Sequence, residues 1–155
     1  MIYKVGKFNV ELSGNVVDIF SKFKQVKHKI HESGGILLGQ VKENYVYISK
    51  ATPPSRHDTS SRFNFIRDCN IAQIIVDYEF YNNNGHLIYL GEWHTHPENI
   101  PMPSSQDIMM IKEQFSNNKL NEKYILLIII GITSTYLGMF NGKILIEGES
   151  RNKSL

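Results

Sequence analysis

Cysteine is almost missing from this chain: Cys69 is the only one among 155 residues. An internal disulfide is therefore excluded, which fits a reducing compartment. Long apolar runs are missing as well. The most hydrophobic stretch, Tyr124 to Ile132, is about half of what a membrane span requires. The opening residues, Met1 to Lys7, contain no apolar signal core. Charge of one sign is scarce too, with 17 basic against 15 acidic residues and a formal net charge of +2, so no nucleic-acid-binding field is expected. These absences lead us to expect a cytoplasmic protein with neither membrane nor nucleic acid as a partner. What is present is ordinary globular composition, 41% hydrophobic and 21% charged, in a chain long enough for one sizeable core. We expect one domain over residues 1–150 and a short tail at 151–155.

The pattern along the chain predicts an alternation of strands and helices. Met1 to Val10 alternates apolar and polar residues as a strand does. Asn15 is the expected cap of a helix whose apolar face is Val16, Ile19, Phe20, Phe23, Val26 and Ile30 and whose end falls near Glu32. Ile36 to Gly39 and Tyr45 to Ser49 read as paired strands, and 52–62 as a long polar loop. Asp68 caps a second helix, Leu87 to His96 is a strand, and a third helix runs from Ser104 to Phe115 after a loop with three prolines. Tyr124 to Ile132 has the continuous apolar character of a strand buried on both faces. Tyr136 to Phe140 and Lys143 to Glu147 form a hairpin around Asn141-Gly142. The order predicts an α/β sandwich, a mixed sheet flanked by about three helices.

The chemistry concentrates in His94-Thr95-His96-Pro97, followed by Ser104 and Asp107. Two imidazoles separated by one residue share a face of a strand. A carboxylate from the next element completes a three-ligand N,N,O set that suits Zn²⁺ with one position open to water. Ser104-x-x-Asp107 is also a capping-box pattern, and taken alone it favours that reading. The two histidines just upstream tip the balance, because the metal reading accounts for four residues at once. A metal-activated water needs a proton acceptor that is not itself a ligand. Glu32, Glu92 and Glu98 are the acidic candidates, and spacing does not choose among them; Glu92 shares the face of His94 by parity.

These residues resemble the JAMM/MPN (JAB-domain) metalloproteases, whose pattern is an upstream Glu, then H-x-H-x7-S-x2-D. His94, His96, Ser104 and Asp107 match without a gap, and Glu32-Ser33-Gly34-Gly35-Ile36-Leu37-Leu38-Gly39 resembles the segment bearing the catalytic glutamate. The resemblance implies a cytidine-deaminase-like sandwich in which His94, His96 and Asp107 bind one zinc ion. It also implies that Glu32 activates the water and that Ser104 helps stabilise the tetrahedral intermediate. Gly91 to Pro97 and the Pro-Ser-Ser-x-x-Asp tail are most similar to stand-alone bacterial JAB peptidases of CBASS anti-phage operons, which reverse the conjugation of a cyclic-nucleotide synthase. The implied partner is a protein with an extended C-terminal tail, either a ubiquitin-like protein or a conjugated nucleotidyltransferase. Alternatives are the trimming of a sulfur-carrier protein, a non-catalytic MPN scaffold and a DNA-repair-associated JAB protein. The remaining features read as structural: Cys69 as a small buried residue, His28 and His31 as surface groups, and Trp93 as core. Arg56, Arg62 and Arg67 read as solvated loop charges.

Overall fold

The computed structural model describes residues 1–151, so the expected tail, apart from Arg151, lies outside the described residues. The predicted opening strand is in fact a hairpin, β1 (Ile2–Val5) and β2 (Phe8–Leu12), because Gly6 takes a φ of +52° and turns the chain. Helix α1 (Gly14–Phe23) follows, then β3 (Gly34–Lys42), β4 (Tyr45–Ala51) and a small separate hairpin, β5 (Thr59–Ser61) with β6 (Asn64–Ile66). Helix α2 (Cys69–Asn82) leads to β7 (Ile88–Thr95), helix α3 (Ser105–Asn117) and β8 (Ile125–Ile130). The chain then forms β9 (Thr135–Phe140), β10 (Leu145–Glu147) and β11 (Glu149–Ser150). Nine strands make one mixed sheet in the order β10-β9-β8-β7-β3-β4-β2-β1-β11. The predicted α/β architecture with three helices is the observed one.

Strand β8 shows why the sheet must be covered on both faces. All six of its residues are buried, and their alternation divides them between two cores. Leu126, Ile128 and Ile130 join Val16 and Phe20 of α1, while Ile125, Leu127 and Ile129 join Ile111 of α3. Each such side chain contributes about 2 kcal/mol of transfer free energy, so neither face can be left to solvent. A third cluster sets Ala72 of α2 against Ile36 and Leu38.

The same alternation organises β7. Trp93 is 1% exposed and packs on Phe20 and Phe23 of α1, as parity requires, while its neighbours Glu92 and His94 point to the opposite face. A bulge interrupts the count one turn earlier, where Leu37 pairs with Gly91 but Leu38 pairs with Tyr89, leaving Leu90 as the extra residue. The bulge brings Tyr89 onto the face of Glu92, and the Tyr89 hydroxyl donates to Glu92 Oε1 at 2.5 Å. A Cβ on Gly91 would lie 2.1 Å from the Leu126 carbonyl oxygen, so only glycine permits this approach to β8.

Helix α1 departs from expectation at both ends. Its cap is Ser13, not Asn15: Ser13 Oγ accepts from the Val16 amide and donates to the Ser49 carbonyl at 3.1 Å. It stops at Phe23, well before Glu32, and Val26 is 60% exposed. The cause is Gln25, only 2% exposed, whose amide Nε2 donates to the carbonyls of Ile30 and Arg62 at 3.0 Å each. Those tertiary bonds satisfy a non-helical backbone and outcompete further helical turns. Replacing Ser13 with alanine should cost about 1 kcal/mol in urea unfolding, whereas Asn15→Ala should change stability by less than about 0.5 kcal/mol. Equal losses from the two would place the cap at Asn15 instead.

Candidate metal centre

The metal motif lies where β7 runs out of the sheet. His94 Nε2 and His96 Nε2 approach to 3.1 Å, and both rings are buried, at 4% and 8% exposure. Asp107, in the first turn of α3, brings Oδ1 to 3.0 Å from His94 Nε2 and Oδ2 to 3.4 Å from His96 Nε2. A tetrahedral first-row ion with bonds of about 2.1 Å needs donor atoms about 3.4 Å apart. The imidazole nitrogens lie 3.1 Å apart and each has an Asp107 oxygen at 3.0 or 3.4 Å, near that spacing, so this His-His-Asp group could hold a metal ion.

Ser104 and Asp107 reconcile the two readings of their spacing. Ser104 Oγ accepts from the Asp107 amide at 3.1 Å, and the Ser104 amide donates to Asp107 Oδ2 at 2.6 Å, which is a complete capping box. The same carboxylate faces both histidines. The cap therefore orients the carboxylate, and neither role displaces the other. Burial opposes ionisation of Asp107, but bonds from His94, His96 and Ser104 and the field of His94 hold its carboxyl far below the usual range.

Glu32 reaches the site without a helix to carry it. Its amide donates to the Ser61 carbonyl of β5 at 2.7 Å. The next residue, Ser33, is bonded twice to Thr95: Thr95 N donates to Ser33 O at 2.8 Å, and Ser33 N donates to the side-chain Thr95 Oγ1 at 3.0 Å. Thr95 Oγ1 in turn donates to Gln25 Oε1 at 3.0 Å, so the residue that ends α1 also anchors this segment. Glu32 Oε1 is thereby set 4.0 Å from His96 Nε2. Burial raises the Glu32 carboxyl to about 7; His96 opposes the shift, and Asp107 and Glu98 add to it. His96 is itself raised: burial works against its charge, but Asp107, Glu32 and Glu98 outweigh burial. Glu98, the third acidic candidate, lies 3.7 Å from His96 Nδ1 on an exposed side chain.

Glu92 takes no part in the His-His-Asp group. It accepts from Arg67 Nε at 2.9 and 2.8 Å and from Arg67 Nη2 at 2.8 Å, a buried ion pair. Arg67 is thus no solvated loop charge: its Nη2 also donates to Gln114 Oε1 at 2.9 Å. Cys69 differs from expectation as well, since it is exposed at the start of α2, whose first turn buries Ala72 instead. His28, His31 and His57 are exposed, and none lies in the metal group. Gln25 and Thr95 went unremarked in the sequence; the only signal was parity, which turns Thr95 away from the two histidines and inward.

A cleft of about 480 Å³ opens from this centre between the β5–β6 hairpin and α3. Glu32, His94, His96, Ser104 and Asp107 all line it. A layered α/β sheet that presents such an imidazole-carboxylate group at a strand end defines the class of protein. A family model described as prokaryotic homologs of the JAB domain matches residues 16–139, and the chain belongs to that family. A CD-NTase/cGAS isopeptidase from Vibrio cholerae is 31% identical over 129 residues, spanning 83% of this chain and 80% of its own. One from Escherichia coli is 35% identical over 100 residues, 64% of each chain, and one from Pseudomonas aeruginosa is 29% identical over 133 residues, 86% and 84%. The solution structure of a Desulfitobacterium hafniense protein superposes with a TM-score of 0.62 at 16% identity, covering 91% of this chain and 90% of its own, a likeness of fold alone. No helix among the described residues is long and apolar enough to cross a membrane.

The raised Glu32 carboxyl carries a stability cost with a definite sign. Its folded value of about 7 exceeds the ordinary 4.5, so ionisation penalises the folded state. That penalty is absent below pH 4.5, grows between 4.5 and 7, and is complete above 7. In metal-stripped protein, Glu32→Gln should therefore raise stability above pH 7 by on the order of 1–3 kcal/mol. Thermal unfolding across pH should show the gain vanishing below pH 4.5. A variant less stable than the parent at pH 8 would contradict this account.

Proposed function

We propose that this chain is a zinc-dependent isopeptidase that removes a conjugated protein, a CD-NTase joined through its C-terminal tail to a target amine. The observation that carries the reading is the triangle of His94 Nε2, His96 Nε2 and Asp107 oxygens, with separations of 3.0–3.4 Å, beside the buried carboxylate of Glu32. The names of the relatives, each a CD-NTase/cGAS isopeptidase, supply the substrate class.

His94, His96 and Asp107 hold zinc in this reading, and zinc there supplies Lewis-acid polarisation of the scissile carbonyl and acidification of a water. Glu32, held beside His96 and near neutral in acidity, takes a proton from the attacking water and hands it to the leaving amine. Burial favours the protonated carboxyl and a bound cation would favour the carboxylate, opposing influences that suit a group which both takes and returns a proton. Ser104 Oγ already accepts from the Asp107 amide, which leaves its own proton to be donated to the oxygen that gains charge. The cleft beside the β5–β6 hairpin receives the extended tail.

Incubation with a CD-NTase linked by an isopeptide bond to an amine acceptor tests the reading. Cleavage should require metal, stop with a chelator and return with zinc. Glu32→Gln should slow it by about 10²–10⁴-fold. Full cleavage by that variant, or by chelated protein, would overturn the mechanism. Cleavage of a sulfur-carrier fusion with none of the conjugate would keep the chemistry and refute the substrate.

A further inference from the structure

The Arg67–Glu92 pair, with Glu92 buried and Arg67 partly so, sits beside the metal centre yet lies outside its ligand group. Buried ion pairs are poor stabilisers, because the desolvation of both charges offsets their attraction and well-packed apolar side chains of equal volume do as well. The arrangement around this one is geometric. Glu92 sits two residues before His94 on the same face of β7. Gln114 sits seven residues after Asp107, two turns along the same face of α3 and about 10 Å further along its axis. Arg67, at the junction of β6 and α2, spans the two: its fork engages both Glu92 oxygens and its Nη2 reaches Gln114 Oε1. Tyr89, turned inward by the bulge, fixes Glu92 from the other side, and Asn118 Nδ2 donates to Gln114 Oε1 at 2.8 Å.

Helix α3 needs such a tie. Ile111 is its only fully buried residue, and the helix packs over β8 and β9, beyond the strand that bears the histidines. Beside the apolar packing of Tyr89 on the Ile111 cluster, its polar connection to β7 runs through long side chains at two points, Asp107 to the histidines and Gln114 through Arg67 to Glu92. Two points fix the rotation and the distance of a helix where one does not. We propose that Arg67 is a positioning residue: by tying Glu92 of β7 to Gln114 of α3, it holds Asp107 at bonding distance from the ion shared with His94 and His96 and keeps the metal site preorganised. The proposal rests on those three residues being the metal ligands.

Competition with a chromophoric chelator measures the zinc affinity of the intact chain directly. Gln114→Leu removes only the α3 end of the tie. Arg67→Met combined with Glu92→Met replaces the ion pair by an apolar pair. Zinc affinity should fall about 10–100-fold in both variants, while the thermal midpoints of the metal-free proteins stay within a few degrees of the parent. Gln114→Glu keeps an acceptor for Arg67 and should restore affinity to within a few-fold of the parent. Arg67→Lys keeps the charge but not the fork and should not restore it. Parent-like affinity in folded Gln114→Leu overturns the proposal, even if the double variant fails to fold. Absence of zinc binding by the parent chain would instead refute the ligand assignment on which it rests.

Discussion

Strand β7 must be buried on both faces while one face carries polar side chains, and the molecule is built around that constraint. Its left neighbour β8 and right neighbour β3 close the sheet around it, and the approach to β8 is so close that Gly91 tolerates no side chain. Trp93 and Thr95 face α1, one filling the core and the other joining the hydrogen bonds of Gln25. Glu92 and His94 face the opposite layer, where every polar atom needs a partner in low dielectric. The partners are Tyr89 of the same strand, Arg67 from the junction of β6 and α2, and Asp107 of α3, so two further parts of the fold are recruited to satisfy one strand.

Electrostatics then sorts the acidic groups by environment. Asp107, bonded by two imidazoles and an amide, stays ionised, whereas Glu32, buried with its nearest imidazole at 4.0 Å, is held near neutrality. Two carboxyls within reach of the same histidine are thus driven in opposite directions, a separation that suits one to binding a cation and the other to exchanging a proton. Glu92 is removed from this contest by Arg67, whose opposite charge neutralises it.

What the sequence could disclose depended on whether local pattern or distant contact set the outcome. The His-x-His spacing, the Ser104 cap, the Asn141-Gly142 hairpin and the apolar run of β8 obey short-range rules, and each appears where the pattern put it. The end of α1 does not, because the side chain of Gln25 bonds to residues distant in the sequence, and no helical periodicity reports that. The placement of Glu32 followed from resemblance, and its support by Ser61 and Thr95 is purely tertiary. Arg67 looked like any loop arginine, since its partners, Glu92 and Gln114, come from later elements. The β5–β6 hairpin escaped notice because its first strand is wholly polar and exposed, with no apolar alternation to betray it.

The parallel pairings of β2 with β4 and β7 with β8 have a consequence for the order of events during folding. The first pair is separated by α1 and β3 and the second by α3, so loop closure must precede any reward from pairing. Glu32 gains its support only once β5 and β7 are both in place, and Asp107 meets the histidines only once α3 has settled on β8 and β9. Under the proposed mechanism, hydrolytic competence is consequently a property of the finished fold alone. A partly synthesised or partly unfolded chain holds the motif residues but not their convergence, which keeps an indiscriminate peptidase from existing at any earlier stage.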